Sequence, residues 1–276
     1  MENKQPIGIF DSGYGGLTVF RSIANLLPDY DYIYLGDNAR APYGNRSFNT
    51  IHQYTWECVQ MLFKMGCPLV ILACNTASAK ALRTIQQQDL QKEDRGKRVL
   101  GVIRPTAEVI GNYTKTKEIG VLGTKGTVQS GSYLIEINNF SPDVKVHQQA
   151  CPLWVPLIEN GEYDKPGADY FVASYLDQIL SQSANIDTIL LACTHYPLLQ
   201  EKITAYLPAH IQVVAQGDIV AKSLQDYLYR HPEMEKKLTK NAMQQFFTTS
   251  DDTPDFNHHA SLFFSAQVES EFIPLR

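Results

Sequence analysis

The sequence predicts an α/β fold of mostly parallel sheets, and two observations lead there. Short apolar runs alternate with longer stretches of helical period, the pattern of strands joined by crossover helices. The chain also echoes itself. Ile7-Gly8-Ile9-Phe10-Asp11-Ser12-Gly13 is matched by Ile119-Gly120-Val121-Leu122-Gly123-Thr124-Lys125. At nearly the same offset, Leu72-Ala73-Cys74-Asn75-Thr76 is matched by Leu191-Ala192-Cys193-Thr194-His195. Two weakly similar halves follow.

The first apolar run, 7–10, is closed by Asp11-Ser12-Gly13 and leads into a helix over 17–27. A second strand, 32–35, precedes a turn containing Asp37 and Arg40-Ala41-Pro42-Tyr43-Gly44, and a helix over 50–65 leads to the strand 69–73. The Cys74 motif opens a helix over 76–87, and the polar stretch 86–97 reads as a helix end and exposed connection to the strand 99–103. The break between halves falls within 96–104. The second half alternates strands at 119–122, 144–147, 188–192 and 211–214 with helices over 126–139, 168–181 and 198–207. From Gly217 onward a helix is followed by strand-like pieces such as 245–249, with either half as packing partner.

With 276 residues, 44% hydrophobic and 19% charged, the chain has the profile of a globular protein of one large or two ordinary domains. A net charge of -5 without a Lys/Arg cluster offers no footprint for nucleic acid or an anionic membrane. No apolar stretch approaches the roughly 20 residues of a membrane helix. A small molecule is the expected partner. Five cysteines without C-x-x-C spacing, and no signal-like start, point to the reducing cytosol. The triplets Asn45-Arg46-Ser47 and Asn112-Tyr113-Thr114 are then chance matches to a glycosylation pattern. His258-His259 lacks companion ligands, and no metal site is expected.

Ligands of open parallel sheets bind beyond the carboxyl ends of strands, where the unusual polar clusters fall. Asp11-Ser12-Gly13-Tyr14-Gly15-Gly16 has glycines that let backbone N–H groups approach an anion. The two cysteine motifs place a thiol at a strand end, before Asn75 and Thr76 or before Thr194, residues suited to capping a helix or binding a carboxylate. A thiol at a helix N-terminus is expected to be acidified and reactive. One such cysteine reads as core; two matched ones read as chemistry. Thiols on both faces of a carbon suit inversion of a stereocentre. Asp11 is a candidate proton partner of Cys74, and His195 of Cys193. Cys58 and Cys67 read as packing, and the role of Cys151 is left open.

These residues are specific enough for a family. The chain resembles the bacterial glutamate racemases of the cofactor-independent aspartate/glutamate racemase superfamily. The matching segments are Asp11-Ser12-Gly13-x-Gly15-Gly16-Leu17, Asp37 with Pro42-Tyr43-Gly44, Ala73-Cys74-Asn75-Thr76-Ala77, Gly123-Thr124-x-x-Thr127, Cys151-Pro152-Leu153 with Val155-Pro156-Leu157, and Cys193-Thr194-His195-Tyr196-Pro197. The resemblance implies two pseudo-symmetric α/β domains with the active site in the cleft between them. One would comprise 1–98 completed by 209–276, the other 99–208. It implies catalysis by Cys74 and Cys193 with Asp11 and His195, no cofactor, and substrate contacts from Asp11, Ser12, Tyr43, Gly44, Asn75, Thr76, Thr194 and His195. Cys74 would serve D-glutamate and Cys193 L-glutamate, and the product would supply peptidoglycan synthesis. Related aspartate racemases carry Glu where this chain has His195, which favours glutamate. Ala192, where many relatives have Gly, and the looser Gln216-Gly217-Asp218 and Thr249-Ser250-Asp251 depart from the pattern. A homodimer is left open.

Rival readings fit less well. A dinucleotide site would explain Gly13-x-Gly15-x-x-Thr18 and Asp37, but it lacks the third glycine and leaves the cysteines unused. A thiol phosphatase would need an arginine soon after the nucleophile, and Cys74 is followed by Asn75-Thr76-Ala77-Ser78-Ala79-Lys80. An aspartate racemase, or a two-domain amino-acid-binding protein without activity, remain the alternatives. Their common requirement is a cleft between halves.

Overall fold

The structure is a computed structural model that describes residues 5–92 and 96–275. The strands in chain order are β1 (Ile7–Asp11), β2 (Tyr32–Gly36), β3 (Leu69–Leu72), β4 (Arg98–Gly101), β5 (Glu118–Gly123), β6 (Lys145–Ala150), β7 (Thr188–Ala192), β8 (Gln212–Val214), β9 (Gln244–Thr248) and β10 (Ser270–Phe272). They form a six-stranded sheet ordered β10-β9-β2-β1-β3-β4 and a four-stranded sheet ordered β6-β5-β7-β8. Every pairing is parallel. Parallel strands are covered by helices on both faces and read as unbroken apolar runs, and β1, β2, β3 and β7 are buried along their whole length.

The internal echo is a repeat of topology. In each sheet four strands run second-first-third-fourth, so β5, β6, β7 and β8 reproduce β1, β2, β3 and β4. Cys74 follows β3 and Cys193 follows β7, the same place in each half. The first sheet alone is extended, by β9 on the edge of β2 with Tyr34 opposite Phe246, and β10 beyond it. The C-terminal segment thus packs on the first half. Phe20, Tyr34, Phe246 and Phe264 join it there in one aromatic cluster.

Several expectations are corrected. The strand 99–103 stops at Gly101, and Ile103–Val109 is a helix, with Pro105 in the first turn where a missing N–H costs nothing. The chain leaves the first sheet after β4 and returns after β8, so sheet membership extends each half past the expected 98/99 and 208/209 boundaries. The helix expected over 76–87 is three short pieces, Asn75–Lys80, Leu82–Thr84 and the π-turn Ile85–Asp89. That expected over 126–139 is split at Gly131, which takes φ +66°. The helix Thr253–Phe264 and β10 are additional to the elements that the sequence pattern predicts. Part of the polar connection, 93–95, lies outside the described residues. Among the described residues no helix is long and apolar enough to cross a membrane.

Candidate active site

The carboxyl ends of the strands in both sheets converge on a cavity of about 300 Å3. Ser12, Tyr43, Gly44, Cys74, Asn75 and Thr76 line it from the first half; Thr124, Cys151, Glu159, Cys193, Thr194 and His195 line it from the second. Both thiols therefore face one space. Of the residues singled out from the sequence, Asp11 does not line this cavity; it lies buried behind the wall. A larger cavity of about 770 Å3 opens elsewhere, among Lys80, Arg83, Arg104, Ser132, Tyr227 and Arg230, and contains no thiol. Only the smaller of the two brings Cys74 and Cys193 together.

Close packing holds the halves around it. Thr18 donates through Oγ1 to the Thr194 carbonyl at 2.9 Å. Gly15 abuts the second half so tightly that a methyl there would overlap His195 Nδ1 and Thr194 Oγ1. On the other rim the Gly126 amide donates to the Gly44 carbonyl at 2.9 Å, and Thr76 Oγ1 meets Thr124 Oγ1 at 3.0 Å.

Cys74 caps the helix Asn75–Lys80, its sulfur accepting from the Ala77 amide at 3.4 Å and lying 3.4 Å from Ser12 Oγ. These contacts favour a thiolate. Burial and the neighbouring Asp11 carboxyl outweigh them, and the thiol is pushed up to about 12. The expected acidification at this helix end is thus corrected: Cys74 rests as a thiol. Burial also raises Asp11, against the opposing pull of His195. Its Oδ1 accepts from the Gly13 amide at 2.8 Å, and Thr194 Oγ1 stands 3.5 Å from Oδ2.

Cys193 is followed by a turn and the 3-10 segment Tyr196–Leu199, with Pro197 inside it; the α-helix Gln200–Tyr206 starts only later. The expectation of a helix cap at this thiol is corrected. Bonds from the Tyr196 amide to the Cys193 carbonyl and from the Leu198 amide to the His195 carbonyl tighten the chain instead. His195 Nδ1 lies 4.0 Å from the Cys193 sulfur, and Nε2 lies 2.9 Å from Glu159 Oε1. Burial pulls the imidazole down, but its bonds to Cys193 and Glu159 win and push it up to about 10. Near neutrality it is a cation.

Tyr43, itself buried, lines the cavity. Its hydroxyl donates to the buried Asp37, which also accepts from Arg40 Nε at 2.8 Å and Thr249 Oγ1 at 2.8 Å, so this side chain anchors the loop that shapes the cavity. Among the described residues no group of three His, Cys, Asp or Glu side chains could hold a metal ion.

The sequence pattern of the Asp/Glu/Hydantoin racemase family matches residues 7–224. The chain belongs to that family. A glutamate racemase from Persephonella marina is 40% identical over 272 residues, 98% of this chain and 97% of the relative. Glutamate racemase isoform RacE1 from Bacillus anthracis superposes with a TM-score of 0.88 at 33% identity, covering 99% of each chain. The Francisella tularensis glutamate racemase, solved with D-glutamate, gives a TM-score of 0.86 at 29% identity over 99% of this chain and 98% of that one.

Within this racemase fold the sequence reading missed Glu159. The signal was present: a carboxylate ends the otherwise apolar helix Trp154–Glu159, eight residues after Cys151. Tyr133 gives no such signal, and Gln216 stands out only as part of a loose family match; both bond to Asn75 from distant parts of the chain.

Proposed function

We propose that the chain interconverts L- and D-glutamate by transferring the α-proton between two thiols, supplying D-glutamate for peptidoglycan synthesis. One observation carries this reading: cysteines at equivalent strand ends of two repeated sheets line a single cavity, each with its own titratable neighbour. With L-glutamate, the Cys193 thiolate takes the α-hydrogen as a proton, leaving its electron pair on Cα. The Cys74 thiol then gives its proton to the opposite face, yielding D-glutamate, a Cys193 thiol and a Cys74 thiolate. Proton exchange resets the pair, and the reverse reaction runs the same steps backward. Resting as a thiol, Cys74 is ready for the L-to-D direction.

The α-proton of an amino acid is weakly acidic, so the site must stabilise the developing carbanion in a space closed to water. Ser12, Asn75, Thr76 and Thr194 are assigned to the substrate's polar groups, with Tyr43 and Gly44 shaping the rim. Asp11 is assigned to the proton of Cys74, and His195, held by Glu159, to that of Cys193. No cofactor enters this scheme. The catalytic units are the two sheets with their helices, joined near 102–117 and 215–217. Five free cysteines support a cytosolic setting.

The test is incubation of the purified protein with L-glutamate and, separately, L-aspartate, followed by chiral chromatography. An equal mixture of glutamate enantiomers with aspartate left intact is expected. Unchanged L-glutamate would overturn the proposal, and conversion of aspartate alone would reassign the substrate.

A further inference from the structure

Asn75, beside Cys74 in the cavity wall, is held from behind by Tyr133 and Gln216, two side chains that the reaction steps above do not use, and the three close a ring of hydrogen bonds. Asn75 Nδ2 donates to Gln216 Oε1 at 2.8 Å, Gln216 Nε2 donates to the Tyr133 hydroxyl at 2.6 Å, and that hydroxyl donates to Asn75 Oδ1 at 2.6 Å. Gln216 Nε2 also donates to Thr106 Oγ1 at 2.9 Å, and Thr106 Oγ1 to the Val102 carbonyl at 3.0 Å. Asn75, Thr106, Tyr133 and Gln216 are all buried. Reversing Asn75 alone would set its Oδ1 against Gln216 Oε1, and reversing Gln216 alone would set its Nε2 against Asn75 Nδ2. The ring therefore couples the two orientations, and the Gln216 Nε2 bond to Thr106 Oγ1 and its contact with the Val102 carbonyl select between them.

The members come from four places. Asn75 is the residue after Cys74. Tyr133 lies on the helix Ser132–Phe140 beside the second sheet. Val102 and Thr106 stand where the chain leaves the first sheet, and Gln216 where it returns after β8. No member of the ring is a carboxyl, imidazole or thiol, and none of its bonds reaches either cysteine sulfur, so the ring's chemistry is that of a brace.

We propose that Tyr133 and Gln216 are positioning residues, acting through Asn75 to hold Cys74 in register with the sheet that bears Cys193. This rests on the two-thiol reading. Each half contributes to the ring, so a loosened ring lets the Cys74 end drift while Cys193, held by the Thr194 and His195 contacts, stays in place.

The experiment compares Tyr133→Phe and Gln216→Met with wild type, using glutamate and α-deuterated glutamate of each hand. In both variants kcat is expected to fall about tenfold, the scale of one buried hydrogen bond, with KM held within about twofold. The pair of primary isotope effects on kcat/KM should move in the direction set by Cys74→Ser, opposite to that set by Cys193→Ser. A purely structural role would lower Tm and leave the isotope pair where it was. Unchanged isotope effects, or a shift like that of Cys193→Ser, overturn the proposal. If Tyr133→Phe loses its thermal unfolding transition, Gln216→Met decides. Failure of the wild type to racemise glutamate refutes the underlying reading instead. Wild-type turnover, with opposed shifts in the two serine variants, keeps that reading and puts the brace alone on trial.

Discussion

Cys74 and Cys193 occupy the same position in a repeated sheet, yet their surroundings are unlike. Beside Cys74, the neighbouring strand β1 ends in Asp11, whose carboxyl is buried behind the thiol. The matching position in the second half, at the end of β5, is Gly123, which brings no carboxyl. The carboxylate on that side is Glu159, from another helix, and it reaches Cys193 through His195. One thiol caps a helix and is held protonated; the other opens a turn beside an imidazolium. The repeat supplies two thiols in one cavity, and the titratable residues beside each thiol are not repeated. The proposed two-thiol scheme gains from that asymmetry, because it needs one thiol and one thiolate at the same time.

The largest effects test the shared part of this comparison. Cys74→Ala or Cys193→Ala should cut turnover at least ~10²- to 10⁴-fold, the range of general acid-base groups. Because the enantiomers are equally stable, each loss must appear equally in kcat/KM for both directions. A variant of either thiol with near-normal turnover in a coupled or chiral assay would break the scheme.

Smaller losses, roughly 10- to 10²-fold, are expected for Asp11→Asn and His195→Asn, since a thiol can still exchange its proton without a partner, more slowly. What sharpens the comparison is handedness. Primary isotope effects with α-deuterated D- and L-glutamate should shift oppositely in these two variants, and parallel shifts would mean that both residues serve both thiols.

Glu159→Gln should cost only a few-fold near neutrality. Removing the carboxylate withdraws one of the two interactions that raise His195, so its ionisation falls from about 10 toward the ordinary 6.5. A raised imidazole stabilises the fold fully below about 6.5, and this contribution is lost as pH rises through about 10. In the variant the alkaline decline of both kcat/KM and Tm should therefore begin at lower pH. An unmoved alkaline limb would remove Glu159 from the account. Least affected should be Cys67→Ala, a buried packing residue outside the cavity: about 1–2 kcal/mol of stability, read by denaturant unfolding, with turnover unchanged.

The strands and the thiols were legible because buried parallel strands leave continuous apolar runs that end at polar motifs, and the site lies at those ends. Local signals blurred where one element runs into the next. Val102 and Ile103 prolong an apolar run but open a helix, and Gly131 interrupts a periodic stretch without changing its period. The helix Thr253–Phe264 had its cue in Asp252, whose side chain accepts from the Asp255 amide at 3.1 Å. A helix-end rule makes Cys74 acidic because it counts the cap and not burial or Asp11. Glu159, Tyr133 and Gln216 act through tertiary contacts, which spacing along the chain does not encode.

The central claim is that one thiol removes the α-hydrogen and the opposite thiol returns a different one. The direct measurement is the fate of that hydrogen when L-glutamate is converted in deuterium oxide and stopped at low conversion. Mass analysis of the separated enantiomers should find the newly formed D-glutamate carrying deuterium at Cα while the remaining L-glutamate still carries hydrogen. Product D-glutamate that keeps the original α-hydrogen, or equal early labelling of both enantiomers, would contradict transfer between two thiols.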